Sequence, residues 1–144
     1  MLIAIIGENC VGKSTLAEKI KEKYHFTIYS GKDYLRLEKN PINAENKFKE
    51  RLLNSLTGEN ILYIIADQEH LKLLPEGTMK IVVTAEIEVI KERFRRRMNG
   101  NLPKPVELML EKKHGMYDQL PCDLKINSDH YDVHQILEFI GDNI

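Results

Sequence analysis

The strongest chemical signal in the chain is the run Gly7-Glu8-Asn9-Cys10-Val11-Gly12-Lys13-Ser14-Thr15. It completes the pattern G-x-x-x-x-G-K-[ST], in which a flexible loop turns successive backbone N–H groups toward one anion. Lys13 supplies a cation for the β- and γ-phosphates of a nucleotide, and the Ser14 hydroxyl supplies a ligand for Mg²⁺. A helix opening at Lys13 aims the positive end of its dipole at the same place. The spacing therefore points to ATP with Mg²⁺, held by Gly7 through Thr15. Cys10 lies inside the loop, where a helix N-terminus can activate a thiol. It occupies a variable position of the pattern and is read as a loop residue.

Four further residue groups are candidates for the chemistry. Asp67 directly follows the apolar run at 61–66 and suits a carboxylate that holds Mg²⁺ through water; Glu69 is a weaker substitute, and His70 reads as a surface residue. Asp33 could orient an acceptor hydroxyl, and Arg36 could grip an acceptor phosphate or carboxylate with two hydrogen bonds. Arg93 and Arg97 lie four residues apart beside the apolar face of a helix, while Arg96 points away from it. That pair would face a cleft, to neutralise a transferring phosphoryl group or to stack on adenine, and the other arginines would be solvated. His25, His114, His130 and His134 are scattered and carry no assigned chemistry. Cys10 and Cys122 have no metal-ligand spacing and read as free thiols.

These residues need elements to place them. A wholly apolar run at 2–6 is the pattern of a strand buried on both faces. A helix follows over Lys13–Tyr24, then a strand at 26–29. A helical stretch opens at Pro41 with Phe48, Leu52 and Leu56 on one face. Strands follow at 61–66 and 81–85, and a helix at 86–98 carries Ile87, Ile90, Phe94 and Met98 on one side. Residues 99–105 break the pattern, 106–117 read as helical, and 124–127 as a fifth strand. Val133, Ile136, Leu137 and Ile140 define a last helix, with Ser128 or Asp129 as its cap. Strands alternating with helices imply an α/β fold with a parallel sheet covered on both sides. In such sheets the binding crevice lies beyond the carboxyl ends of the strands, where every candidate above falls.

At 144 residues, with 42% hydrophobic and 30% charged side chains, the chain has the composition of one globular domain spanning 1–144 rather than of a disordered segment. Lys and Arg number 21 against 22 Asp and Glu, so no overall basic charge suggests a nucleic-acid partner. Neither a secretory leader nor a membrane span is expected, which places the protein in the cytoplasm, as a monomer or homodimer.

Beyond the phosphate loop the chain resembles adenylate kinases and their nucleoside monophosphate kinase relatives. Ser30-Gly31-Lys32-Asp33-Tyr34-Leu35-Arg36 is similar to their T-G-D-x-x-R segment, and the helix at 86–98 is similar to their E-x-x-x-x-R-x-x-x-R stretch, with Arg93 and Arg97 at the arginine positions. Asp123-Leu124-Lys125-Ile126-Asn127-Ser128 resembles the D-x-x-I-[DN] ending of the fifth strand. The resemblance implies a three-layer phosphate-loop fold with strand order 2-3-1-4-5. It also implies an acceptor-binding segment at about 30–57 and a lid at about 99–117. Three features depart from the family. Leu71 stands where an acceptor-gripping arginine is usual, no arginine follows Arg97, and the chain has little length for an acceptor domain. Shikimate and gluconate kinases resemble this length better.

The expectation is an ATP-dependent phosphotransferase with a nucleoside monophosphate as acceptor, the alternatives being a small-metabolite kinase or a nucleotide-binding switch. A GTPase switch would need an [NT]-K-x-D motif, and Asn46-Lys47-Phe48-Lys49 lacks the Asp.

Overall fold

A computed structural model describes all residues, Met1–Ile144. Five parallel strands, β1 (Leu2–Ile6), β2 (Thr27–Ser30), β3 (Ile61–Ile65), β4 (Met79–Thr84) and β5 (Leu124–Asn127), form one sheet in the order β2-β3-β1-β4-β5. β1 is central, pairing Leu2 through Ile6 with Ile61 through Ile65 on one side and Ile3 through Ile6 with Met79 through Val82 on the other. The helices are α1 (Lys13–Tyr24), α2 (Pro41–Ser55), α3 (Ile87–Arg97), α4 (Lys104–Lys113) and α5 (Val133–Asn143). This is the α/β architecture and strand order that the sequence implies.

Alternation along the strands divides the core. Ile3 and Ile5 of β1 face Leu16 and Ile20 of α1 and Ile136 and Ile140 of α5. Leu2, Ala4 and Ile6 face the opposite side, with Phe48 and Leu52 of α2. Both faces of β1 and β3 are therefore buried, which is why these strands are continuous apolar runs. No helix is long and apolar enough to cross a membrane.

Several boundaries differ from the sequence reading, each for a local reason. α5 is capped by Asp132, whose carboxylate accepts from the His134 N–H at 2.9 Å, rather than by Ser128 or Asp129. Those two residues are drawn into a turn after β5 and hydrogen-bond to Arg93. α4 begins earlier than 106 because prolines suit a first helical turn, and it stops at His114 because Gly115 adopts a φ of 82°. β4 begins at Met79, where pairing with Ile3 already holds it. Asp33–Arg36 forms a short 3-10 turn instead of opening a long helix; α2 starts separately, capped by Asn40.

Candidate functional site

The loop between β1 and α1 is tightly built. A Cβ on Gly7 would lie 2.6 Å from the Val83 carbonyl oxygen and 2.8 Å from Val11 Cγ2, so only glycine fits. Cys10 (φ 65°) and Gly12 (φ 103°) both adopt left-handed backbone, which curls the chain into a cradle. No side chain caps α1, leaving its first N–H groups for an anion. Lys13 is buried and its Nζ donates to the Gly7 and Glu8 carbonyls at 2.8 and 2.6 Å. Burial, with the Arg97 charge acting in the same direction, pulls its ammonium down to about 8.

A cavity of about 270 Å³ opens from this loop and brings Lys13, Ser14, Asp67, His70 and Arg97 together with Ser30 and Gly31 from the end of β2. A second cavity, about 420 Å³, shares Asn9, Ala66 and Asp67 and extends under α4 to Leu110, Lys113 and Met116. A third, about 260 Å³, lies on the other side of the loop between Thr15, Arg93, Arg96, Arg97, Ser128 and Tyr131. All three sit at the carboxyl edge of the sheet.

Asp67 lies just past the end of β3 and bounds the first two cavities. One of its oxygens also caps the following 3-10 turn, accepting from the Glu69 N–H at 3.0 Å, so the carboxylate serves a structural bond while facing the loop. The residues present suit Mg²⁺ held largely by nucleotide phosphates and water. Ser14 and Asp67 line one cavity, and no cluster of three His, Cys, Asp or Glu side chains could hold a metal alone.

Arg93 is fixed against the loop. Its guanidinium donates to the Cys10 carbonyl at 3.2 Å, the Ser128 hydroxyl at 2.9 Å and Asp129 at 3.1 Å. Arg97 makes no such bond and lines the first and third cavities, so it is free to meet phosphate. Arg95 and Arg96 pair with Glu92, and Arg96 also borders the third cavity.

The structure does not bring Asp33 and Arg36 into these cavities. Asp33 accepts from the Ser30 N–H at 2.9 Å and pairs with Arg36 at 3.2 Å, leaving the Arg36 side chain 84% exposed. His70 is not a surface residue: it is 8% exposed, because the 3-10 turn after Asp67 folds it back between Tyr34 and Tyr63. Sequence reasoning also passed over His114, whose Nδ1 lies 3.1 Å from Glu8 Oε1. The position of His70, just past the end of a central strand, was a usable signal; no sequence feature pointed to His114.

Residues 99–117 lie against the site. Lys91 of α3 is buried and contacts Glu107 and Glu111 of α4 at 3.5 and 2.6 Å. The Tyr117 hydroxyl donates to the Ala66 carbonyl; burial, reinforced by the Asp67 and Glu8 charges, raises that phenol to about 12.

A parallel sheet in the order 2-3-1-4-5, with a phosphate loop between its central strand and the next helix, is the fold of phosphate-loop kinases. Solved structures share it along the whole chain. A gluconokinase from Sinorhizobium meliloti 1021 aligns over 99% of this chain and 94% of its own, with a TM-score of 0.62 and 14% identity. Shikimate kinase from Aquifex aeolicus vf5 aligns over 99% and 98%, with a TM-score of 0.59 and 18% identity. The tunicamycin resistance protein of Deinococcus radiodurans aligns over 99% and 94%, with a TM-score of 0.64 and 18% identity. No protein-family model matches the chain, and no curated protein matches it in sequence.

Proposed function

We propose that the protein is an ATP-dependent kinase whose acceptor is a compact hydroxylated metabolite. One observation carries this reading. Lys13, Ser14 and Asp67 share a small cavity with Ser30, Gly31 and His70, while Arg36, the arginine meant for an acceptor phosphate, is outside it. Leu71 in place of a second arginine agrees with that. The fold's likeness to a gluconokinase and to shikimate kinases, named for small hydroxylated acceptors, supports the same class.

In this reading the acceptor hydroxyl oxygen bonds to the γ-phosphorus as the bond to the β–γ bridging oxygen breaks, leaving ADP. The hydroxyl proton leaves late, to a phosphoryl oxygen or water. Mg²⁺, when bound, spreads the charge of the phosphates. Gly7 through Thr15 would hold the triphosphate, Lys13 and Arg97 would offset charge at the transferring group, and Ser14 and Asp67 would hold the metal. Arg93 stiffens the loop from the side that would receive the base. Residues 99–117 act as the lid that excludes water, which would otherwise compete as acceptor.

ATP consumption measured against gluconate, shikimate, simple polyols, AMP and UMP tests this directly. Turnover with a hydroxylated metabolite is expected, and Arg36→Ala should change its KM by less than about twofold. Turnover with a monophosphate alone, its KM raised by Arg36→Ala, would establish the nucleoside monophosphate kinase instead.

A further inference from the structure

His70 has the environment of a residue waiting for a ligand. Its Nδ1 is buried and has no hydrogen-bond partner, alone among the buried side-chain nitrogens and oxygens of the chain. The side chain forms no hydrogen bond through its other ring nitrogen either, although the residue is only 8% exposed. Buried polar groups are nearly always paired, and one left without a partner is costly to keep. Nδ1 is enclosed by protein, so the ring nitrogen left to meet a ligand in the cavity is Nε2, which is neither enclosed nor hydrogen-bonded.

The place of His70 says which ligand. It lines the cavity that holds Lys13, Ser14 and Asp67, on the wall shared with Ser30 and Gly31 rather than on the wall of the third cavity beside Arg93. That is the acceptor side of the loop. The ring is held from two directions, with centroids 6.3 Å from both Tyr34 and Tyr63, and Tyr63 is itself pinned through its hydroxyl to the Gly31 carbonyl at 2.8 Å. The backbone is fixed as well, since the His70 N–H donates to the Asp67 carbonyl at 3.1 Å. Asp67 and His70 thus project from a single turn, and an imidazole held in this way offers a directed bond at little further cost in side-chain freedom.

We infer that His70 is a specificity-determining residue that hydrogen-bonds a hydroxyl of the acceptor, next to the hydroxyl that receives the phosphoryl group. An imidazole can give or take a hydrogen bond with an alcohol, and the one guanidinium lining this cavity, Arg97, is assigned above to the transferring phosphoryl group. The acceptor class is therefore one with at least two neighbouring hydroxyls. The inference rests on the proposed kinase activity and goes beyond it by naming the group that reads the acceptor.

The test uses the full chain, ATP and Mg²⁺, and gluconate and shikimate together with deoxy analogues lacking one hydroxyl. His70→Phe keeps the ring and its packing between the tyrosines but removes both nitrogens. It is expected to raise the KM for the acceptor roughly ten- to a hundredfold, the usual effect of losing one buried hydrogen bond, with the KM for ATP within about twofold. His70→Gln should recover part of the loss. The analogue lacking the hydroxyl that His70 reads should be nearly as good a substrate for His70→Phe as the parent acceptor. If His70→Phe folds poorly, His70→Leu takes its place as the variant without a hydrogen-bonding group, with His70→Gln again the variant expected to recover part of the loss. An unchanged acceptor KM in variants that fold, with only thermal stability altered, would assign His70 to the core and overturn the inference while leaving the kinase intact. A parent chain that phosphorylates no hydroxylated compound would overturn the kinase reading, and this inference with it.

Discussion

Glu8 and His114 join the phosphate loop to the segment that follows α4. Glu8 Oε1 lies 3.1 Å from His114 Nδ1, and Glu8 Oε2 accepts from the Gly115 N–H at 3.1 Å. One buried side chain of the phosphate loop thus holds the segment that follows α4.

Removing that tie should loosen the segment without disturbing the sheet. A hydrogen bond to a charged group contributes about 1.5–3 kcal/mol, enough to raise the open population ten- to a hundredfold. Glu8→Ala should therefore increase ATP hydrolysis without acceptor relative to phosphoryl transfer, and increase proteolytic cleavage near residues 113–117. Parent-like values for both would show that the tie does not govern closure.

Lys13 sets a pH dependence. Without nucleotide its ammonium titrates at about 8, because burial disfavours the charge. A triphosphate favours the charged form, so binding must take up a proton once the pH exceeds about 8. Affinity for ATP should be level below that value and fall by about tenfold per pH unit above it. The sign for stability is opposite. Between about 8 and the ordinary lysine value of 10.5 the unfolded chain holds the extra proton, so the nucleotide-free fold gains stability as pH rises. In Lys13→Met both slopes should vanish and ATP binding should weaken strongly; calorimetric titrations at pH 7, 8.5 and 9.5 measure this.

Asp67 bounds the first two cavities and caps the turn that follows β3. Asp67→Asn keeps an oxygen to cap the following turn, so the fold should persist with melting within a few degrees. The Mg²⁺ concentration for half-maximal rate should rise and kcat should fall by roughly a hundredfold, as expected when a charged metal-positioning group is lost. Superimposable Mg²⁺ titrations of parent and variant would remove Asp67 from the metal site.

Phe48 packs behind the tyrosines that flank His70. It is fully buried, with ring centroids 5.1 Å from Tyr29, 5.3 Å from Tyr34 and 4.9 Å from Tyr63. Phe48→Ala should cost about 3–5 kcal/mol and lower the melting temperature by about 10 °C. Phe48→Leu should recover most of that. Thermal unfolding of the two variants gives the comparison.

Much of this protein is determined locally and is therefore legible in its residues. The loop from Gly7 to Thr15 depends on backbone freedom and on the order of its side chains. The strands β1 and β3 are continuous apolar runs because both their faces are buried, and strands alternating with helices give a parallel sheet, whose order came only from the resemblance to phosphate-loop kinases. Tertiary structure decided what depends on residues far apart in sequence. Arg36 has the type and spacing of an acceptor ligand, but the short 3-10 turn that carries it leaves its side chain in solvent beside Asp33. His70 looked like surface because polar residues surround it in sequence, yet the turn capped by Asp67 folds it between two tyrosines drawn from different elements. His114 meets Glu8 across 106 positions, a contact that no local pattern encodes because closing so long a loop is a property of the whole fold.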